Sequence, residues 1–152
     1  MTHSFIYLYT YLSATVQGGF LSSYWLGRRE PSEEDPELRN VSLRKYLRWI
    51  QVWGGWELFQ QLLVVLDGIA VKHRVSLSNV AQRWVLDQQA VGGIIVGVRL
   101  GYRDHVKDNR RVFEFQLDDD DRSAIAEVQG KRKRDLMTVY GDCGGEYRSR
   151  RG

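Results

Sequence analysis

The chain has 152 residues, room for one domain with a real core and too few for two ordinary ones. Apolar residues make up 43% and charged residues 27%, which excludes a disordered chain. A net charge of +3 is too small an excess to argue for nucleic acid as a partner, and much of it sits in a C-terminal stretch holding Lys131, Arg132, Lys133, Arg134, Arg148, Arg150 and Arg151. Cys143 is the one cysteine, so no intrachain disulfide can form, which fits a reducing, cytoplasmic setting. No stretch approaches the ~18 uninterrupted apolar residues of a membrane-spanning helix.

The first predicted element is a strand over Phe5 to Leu12, rich in Tyr, Phe and Ile. That stretch lacks the basic flank and small-residue cleavage pattern of a secretory signal. Ser13 to Gly19 reads as a strand-to-loop exit, and Phe20 to Gly27 as a short helical turn. Arg28 to Asn40 holds both prolines, Pro31 and Pro36, and reads as an exposed loop. Ser42 is the expected cap of a helix running to about Val52, which Gly54 and Gly55 stop. In the next helix Phe59, Leu62, Leu63, Leu66, Ile69 and Ala70 recur at three- and four-residue spacing and share one face. Ser76 caps a further helix, whose buried stripe is Val80, Ala81, Trp84 and Val85.

The run from Val91 to Val98 is β-branched and almost wholly apolar, the pattern of a strand covered on both faces. A short helix is expected around Asp104 to Arg110. Phe113, Phe115 and Leu117 alternate after it. Asp118 then leads a last helix with Ile125 and Val128 inside and carboxylates at its favourable dipole end. Helices between two buried strands argue for an α/β fold with a parallel sheet. Two parallel strands do not stand alone, so the expected architecture is part of a larger fold.

Six pieces in register carry a resemblance. They are "TVQGGFLSSYWLG" (Thr15 to Gly27), "SLRKYLRWI" (Ser42 to Ile50), "VSLSNVAQRWVLDQ" (Val75 to Gln88), "IIVGVRL" (Ile94 to Leu100), Asp108-Asn109 and "GDCGGEYR" (Gly141 to Arg148). The chain resembles the C-terminal portion of the aldo-keto reductase family, most like its fungal members. The resemblance implies the closing part of a (β/α)8 TIM barrel over residues 1–130, incomplete, with about two core strands and their surrounding helices, and a basic tail over 131–152. It implies an NADP(H)-dependent oxidoreductase acting on small carbonyl or alcohol substrates. The cofactor would be held where the last strand, ending at Gly97, hands over to a helix.

By the same resemblance Arg99 stands where a family cation meets the phosphate, and a guanidinium can fork to phosphate oxygens. Leu100 stands where many members carry a phosphate-binding serine, and His105 where an arginine faces the 2′-phosphate, which leaves the choice between NADP and NAD open. Asp108 and Asn109 match the residues that hydrogen-bond the adenine amine. Ser13 falls where members stack an aromatic on nicotinamide, with Tyr11 two residues upstream. The family's catalytic tyrosine, lysine, histidine and aspartate come from early strands, and no tyrosine here matches that role by motif. The resemblance therefore implies a chain without the catalytic set.

Other candidates have plainer readings. His3, His73 and His105 do not cluster at zinc-ligand spacing, so no metal is expected. Cys143 lacks a histidine signature and reads as a tail thiol. The spacing of Trp49, Trp53 and Trp56 reads as packing, and Lys131 to Arg134 as a solvated tail. Two functions remain open: an oxidoreductase chain lacking its catalytic residues, or a non-enzymatic α/β module or half-barrel that self-associates through an open sheet edge.

Overall fold

In the computed structural model residues 17–134 are described, apart from 33, 39, 89–90, 92 and 97–104, and residue 139 is described beyond them. Helix α1, Val41–Trp53, is capped by Asn40, whose side-chain oxygen accepts the Ser42 N–H at 2.8 Å. The cap thus sits two residues before the expected Ser42, because the asparagine oxygen reaches the free N–H of the first turn. Tyr46, Leu47, Ile50 and Trp53 form its buried stripe. Gly54 closes the helix by donating to Ile50 at 3.2 Å. Gly55 follows at φ 90, a conformation open to glycine and strained for other residues.

Helix α2, Trp56–His73, buries Leu58, Phe59, Leu62, Leu63, Leu66, Ile69 and Ala70, which includes every position of the expected face. It ends at Arg74 in the left-handed conformation, φ 57. Helix α3, Leu77–Leu86, is capped by Ser76 as expected, the hydroxyl accepting the Asn79 N–H at 3.2 Å. Helix α4, Val106–Arg110, runs into a 3-10 turn at Arg111–Phe113. Helix α5, Asp119–Gly130, opens with a reciprocal capping box: Asp118 accepts the Asp121 N–H at 2.9 Å, and Asp121 accepts the Asp118 N–H at 3.2 Å.

α2 is the centre of the packing, with α3 and α5 against it. Its first turns meet an aromatic group from the preceding segment. Phe20 stacks on Trp25 at 5.0 Å between centroids and meets Phe59 edge-on at 6.3 Å, while Trp25 meets Trp56 at 5.8 Å. Two hydrogen bonds fix that segment: Gln60 donates to the Trp25 carbonyl at 3.0 Å, and Trp56 Nε1 donates to the Arg28 carbonyl at 2.9 Å. The Arg28 to Asn40 stretch is less open than expected, since Leu38 is fully buried in a 3-10 turn at Pro36–Leu38. Trp53 and Trp56 serve packing, and Trp49 leans on the same core.

The α/β class and the partial (β/α)8 barrel are not what the structure shows. The described residues contain no strand and no sheet. Val91 and residues 93–96, which belong to the expected Val91 to Val98 strand, lie in no strand; Ile95 is 75% exposed, and only Val91 and Ile94 rest against the core. The other expected strand, Phe5 to Leu12, lies outside the described residues. The physical reason is the one that limits any lone strand. Its N–H and C=O groups need a neighbour, and here the apolar faces of the helices are buried on each other instead. The open sheet edge expected to drive self-association is likewise absent among the described residues.

Candidate functional site

Asp108 and Asn109 lie on α4 and face the first turns of α3. Ser76 Oγ donates to Asp108 Oδ2 at 2.9 Å, and Asn79 Nδ2 donates to Asp108 Oδ1 at 3.2 Å. Gln82 Nε2 reaches Asn109 Oδ1 at 3.5 Å, the longest of the three. Ser76, Asn79 and Gln82 are three residues apart and so fall along one side of the helix. Asn79 and Gln82 are 0% and 1% exposed. Each keeps a carboxamide oxygen without a hydrogen-bond partner among the described residues. A buried orphan acceptor costs about 1–3 kcal/mol, so this contact between α3 and α4 carries some cost in stability.

Of the residues expected at a cofactor site, Asp108 and Asn109 are therefore brought together and tied to α3. His105 takes the position before α4, exposed, and its side chain makes no capping bond there. Gly97, Arg99 and Leu100 lie outside the described residues, as do Ser13 and Tyr11 at the expected nicotinamide position and Cys143. Sequence reading missed Asn79 and Gln82. Their signal is a polar residue at i and i+3 within a helix whose remaining stripe is apolar.

A second cluster joins the end of α2 to the start of α5. Asp121 is 3% exposed. Its Oδ1 accepts Lys72 Nζ at 2.8 Å, and its Oδ2 meets His73 Nε2 at 2.7 Å. Lys72 also bonds Asp118. Those two bonds, Asp118 first, push the Lys72 ammonium up to about 12. The Lys72 bond, helped by the Asp121 N–H, holds Asp118 down at about 2. Burial pushes Asp121 up, but the Lys72 and His73 bonds outweigh it and leave its carboxyl below the ordinary value. His73, Asp118 and Asp121 offer ligand atoms within 4.8 Å of one another, although no partner histidine was expected for His73. The Lys72 ammonium already stands at both carboxylates, so the chain supplies its own cation there. This cluster is a clasp between helices, with a cation at the C-terminus of α2 and carboxylates at the N-terminus of α5, the favourable sense for both dipoles.

Two open grooves lie elsewhere. One, of about 400 Å³, is lined by Trp25, Arg28, Arg29, Pro31 and Glu37 among others. The other, of about 490 Å³, runs between α2 and α5 past Gln61, Val64, Val65 and Glu127. Neither touches Asp108 or Asn109. Among the described residues no helix is long and apolar enough to cross a membrane.

Comparison with known proteins adds one family and one relative. The profile of the Aldo/keto reductase family matches residues 9–129. Flagellar radial spoke protein 5 of Chlamydomonas reinhardtii is 37% identical over 70 residues, which cover 46% of this chain and 13% of that protein. No solved structure matches the chain.

Proposed function

The chain belongs to the aldo/keto reductase family, and on that premise we propose that it binds a nicotinamide dinucleotide, NADP(H) in first place, through Arg99, His105, Asp108 and Asn109. The observation that carries this reading is the fixed pair on α4. Asp108 and Asn109 are held by hydrogen bonds from Ser76, Asn79 and Gln82, and a carboxylate fixed in this way offers its remaining lone pairs to an exocyclic amine. Gly97, Arg99 and Leu100 would line the phosphate end. Arg99 supplies the cation, His105 adds one donor when neutral, and Leu100 offers none, so the phosphate contact is thinner than the family's. When bound, the cofactor brings hydride chemistry for carbonyl or alcohol substrates.

In this proposal the family's catalytic tyrosine, lysine, histidine and aspartate are not supplied by these residues, and the setting is cytoplasmic. Lys72 and His73 do not stand in for them, because both are spent on Asp121 and Asp118. The test is a calorimetric titration of the 152-residue chain with NADPH, beside Arg99→Ala. Binding weakened about tenfold by loss of the guanidinium supports the reading; equal affinities, or none for either protein, overturn it. An NADPH-linked aldehyde assay should show no turnover.

A second reading has one observation in its favour. The relative found by comparison is named for the flagellar radial spoke, and on this reading the chain serves protein association. Saturable dinucleotide binding decides for the first.

A further inference from the structure

We infer that Ser32 is a phosphorylation site for a serine/threonine kinase that reads acidic residues after its target, and that Arg29 takes up the phosphate once it is there. The inference stands apart from the cofactor reading. Glu33, Glu34 and Asp35 follow Ser32 directly, and no other serine or threonine of the sequence has an acidic residue within the three positions after it. A kinase whose substrate groove is cationic selects such a hydroxyl by charge. Ser32 is exposed and lies in no helix or strand, between Pro31 and Leu38, which are both buried. Two anchors thus hold the ends of a surface segment that can give way between them, as an extended fit into a kinase groove requires. Among the described residues Ser32 is held through its backbone and not its hydroxyl: its N–H donates to Asp35 Oδ2 at 2.9 Å, and its carbonyl accepts the Asp35 N–H at 3.1 Å.

The same Asp35 oxygen meets Arg29 at 3.5 Å, so one atom brings the guanidinium beside Ser32. Arg29 is the less committed cation of this segment. Its side chain is 80% exposed and its contact is long, whereas Arg28 bonds Glu37 and lies over the Tyr24 ring at 3.7 Å. Nearby carboxylates are engaged as well: Glu37 also accepts the Tyr24 hydroxyl, and Glu30 accepts the Gln51 amide. A phosphate ester carries about −1.5 to −2 charges and three acceptor oxygens, and a guanidinium forks to two of them. Against a single carboxylate oxygen at 3.5 Å it draws Arg29 away from Asp35. In the transfer the γ-phosphoryl group of Mg-ATP passes to Ser32 Oγ. A bond forms from Oγ to phosphorus as the bond from phosphorus to the β–γ bridging oxygen breaks; ADP leaves with that electron pair, and the hydroxyl proton goes to the kinase's catalytic carboxylate.

The experiment incubates the full chain with Mg-ATP and an acid-directed serine/threonine kinase and locates the phosphate by peptide mass spectrometry. Phosphate on Ser32 is expected in wild type and none in Ser32→Ala. Asp35→Asn should slow the modification about tenfold, the worth of one charge-assisted contact to the kinase. The same variant loosens the turn at Ser32, and a loosened segment is modified faster, so slowing reports charge and not a structural effect. Phosphate found elsewhere or nowhere, an Asp35→Asn rate equal to wild type, or faster modification by a base-directed kinase reading Arg28 and Arg29 overturns the site. Uptake by Arg29 is read on the phosphorylated chain by phosphorus NMR across a pH series. The second phosphate pKa should lie about half a pH unit lower in wild type than in Arg29→Ala, the scale of an exposed ion pair. Arg29 is exposed, so its loss leaves the fold in place. Equal values in the two proteins overturn the role of Arg29 while the site stands.

Discussion

Replacing Asp121 by asparagine keeps the volume of the side chain and removes one of its two acceptors. In the native chain Oδ1 takes Lys72 at 2.8 Å, while Oδ2 takes His73 at 2.7 Å and the Asp118 N–H at 3.2 Å. Asparagine has a single oxygen. Its nitrogen must turn either toward the Lys72 ammonium or toward His73 and the Asp118 N–H, donor against donor on either side. One charge-assisted hydrogen bond is worth about 1.5–3 kcal/mol. Lys72 is nearly half exposed and keeps Asp118 as a partner, which moves the expected loss toward the lower part of that range, about 2 kcal/mol. At ~2–4 °C per kcal/mol for a chain of this size, the melting temperature should fall by about 4–8 °C at neutral pH.

Urea midpoints for Asp121→Asn and wild type across a pH series measure this and supply a second check. The Asp121 carboxyl lies below its ordinary value of 3.8 in the folded chain. A group depressed in this way contributes stability above its unfolded pKa and loses it as pH falls through the folded one. The gap between the two proteins should therefore be full at neutral pH and close as the solution is acidified below 3.8. Coincident midpoints at neutral pH would refute the clasp, and so would a gap that stays undiminished deep into acid.

Three further outcomes follow from the same packing. Leu63 is fully buried where α2 meets its neighbours, so Leu63→Ala should cost about 3 kcal/mol, read from urea midpoints at unchanged slope. Arg74→Gly should stabilise the chain by about 0.5–1 kcal/mol in the same measurement, since Arg74 sits at φ 57 and the relief of left-handed strain exceeds the added freedom of the unfolded glycine. Lys72→Met removes an ammonium raised from 10.5 to about 12 and a partner that holds Asp118 at about 2, down from 3.8. The stability gap to wild type should thus be level between 3.8 and 10.5, shrink in acid as pH falls through about 2, and shrink in base as pH rises through about 12. A gap that is flat over the whole range would show that the pair contributes nothing.

The helices were legible because their signals are local. Leu62, Leu63 and Leu66 mark the inner face of α2 by spacing alone, and the hydroxyl of Ser76 and the carboxylate of Asp118 mark two helix starts through bonds to residues three positions on. The run from Val91 to Val98 carries no such information. An apolar stretch of that length fits a buried strand or a packed coil equally, and a strand exists only where another backbone lies beside it. The site divides along the same line. Asp108 and Asn109 could be named from family resemblance, but their partners could not. Asn79 lies 29 residues away from Asp108, inside a helix whose neighbouring positions Val80 and Ala81 are buried and apolar, and Lys72 finds Asp118 across 46 residues. A polar side chain in an amphipathic helix is read as facing water until something distant is known to need it. Asn79 and Gln82 are the cases that matter here, because each is buried and commits its amide nitrogen to a residue of α4, which spacing within α3 cannot express. The stability of α3 would be served as well by leucine at either position. Holding Asp108 and Asn109 in one orientation would not be, since leucine at either position would remove the donor that Asp108 or Asn109 receives from α3.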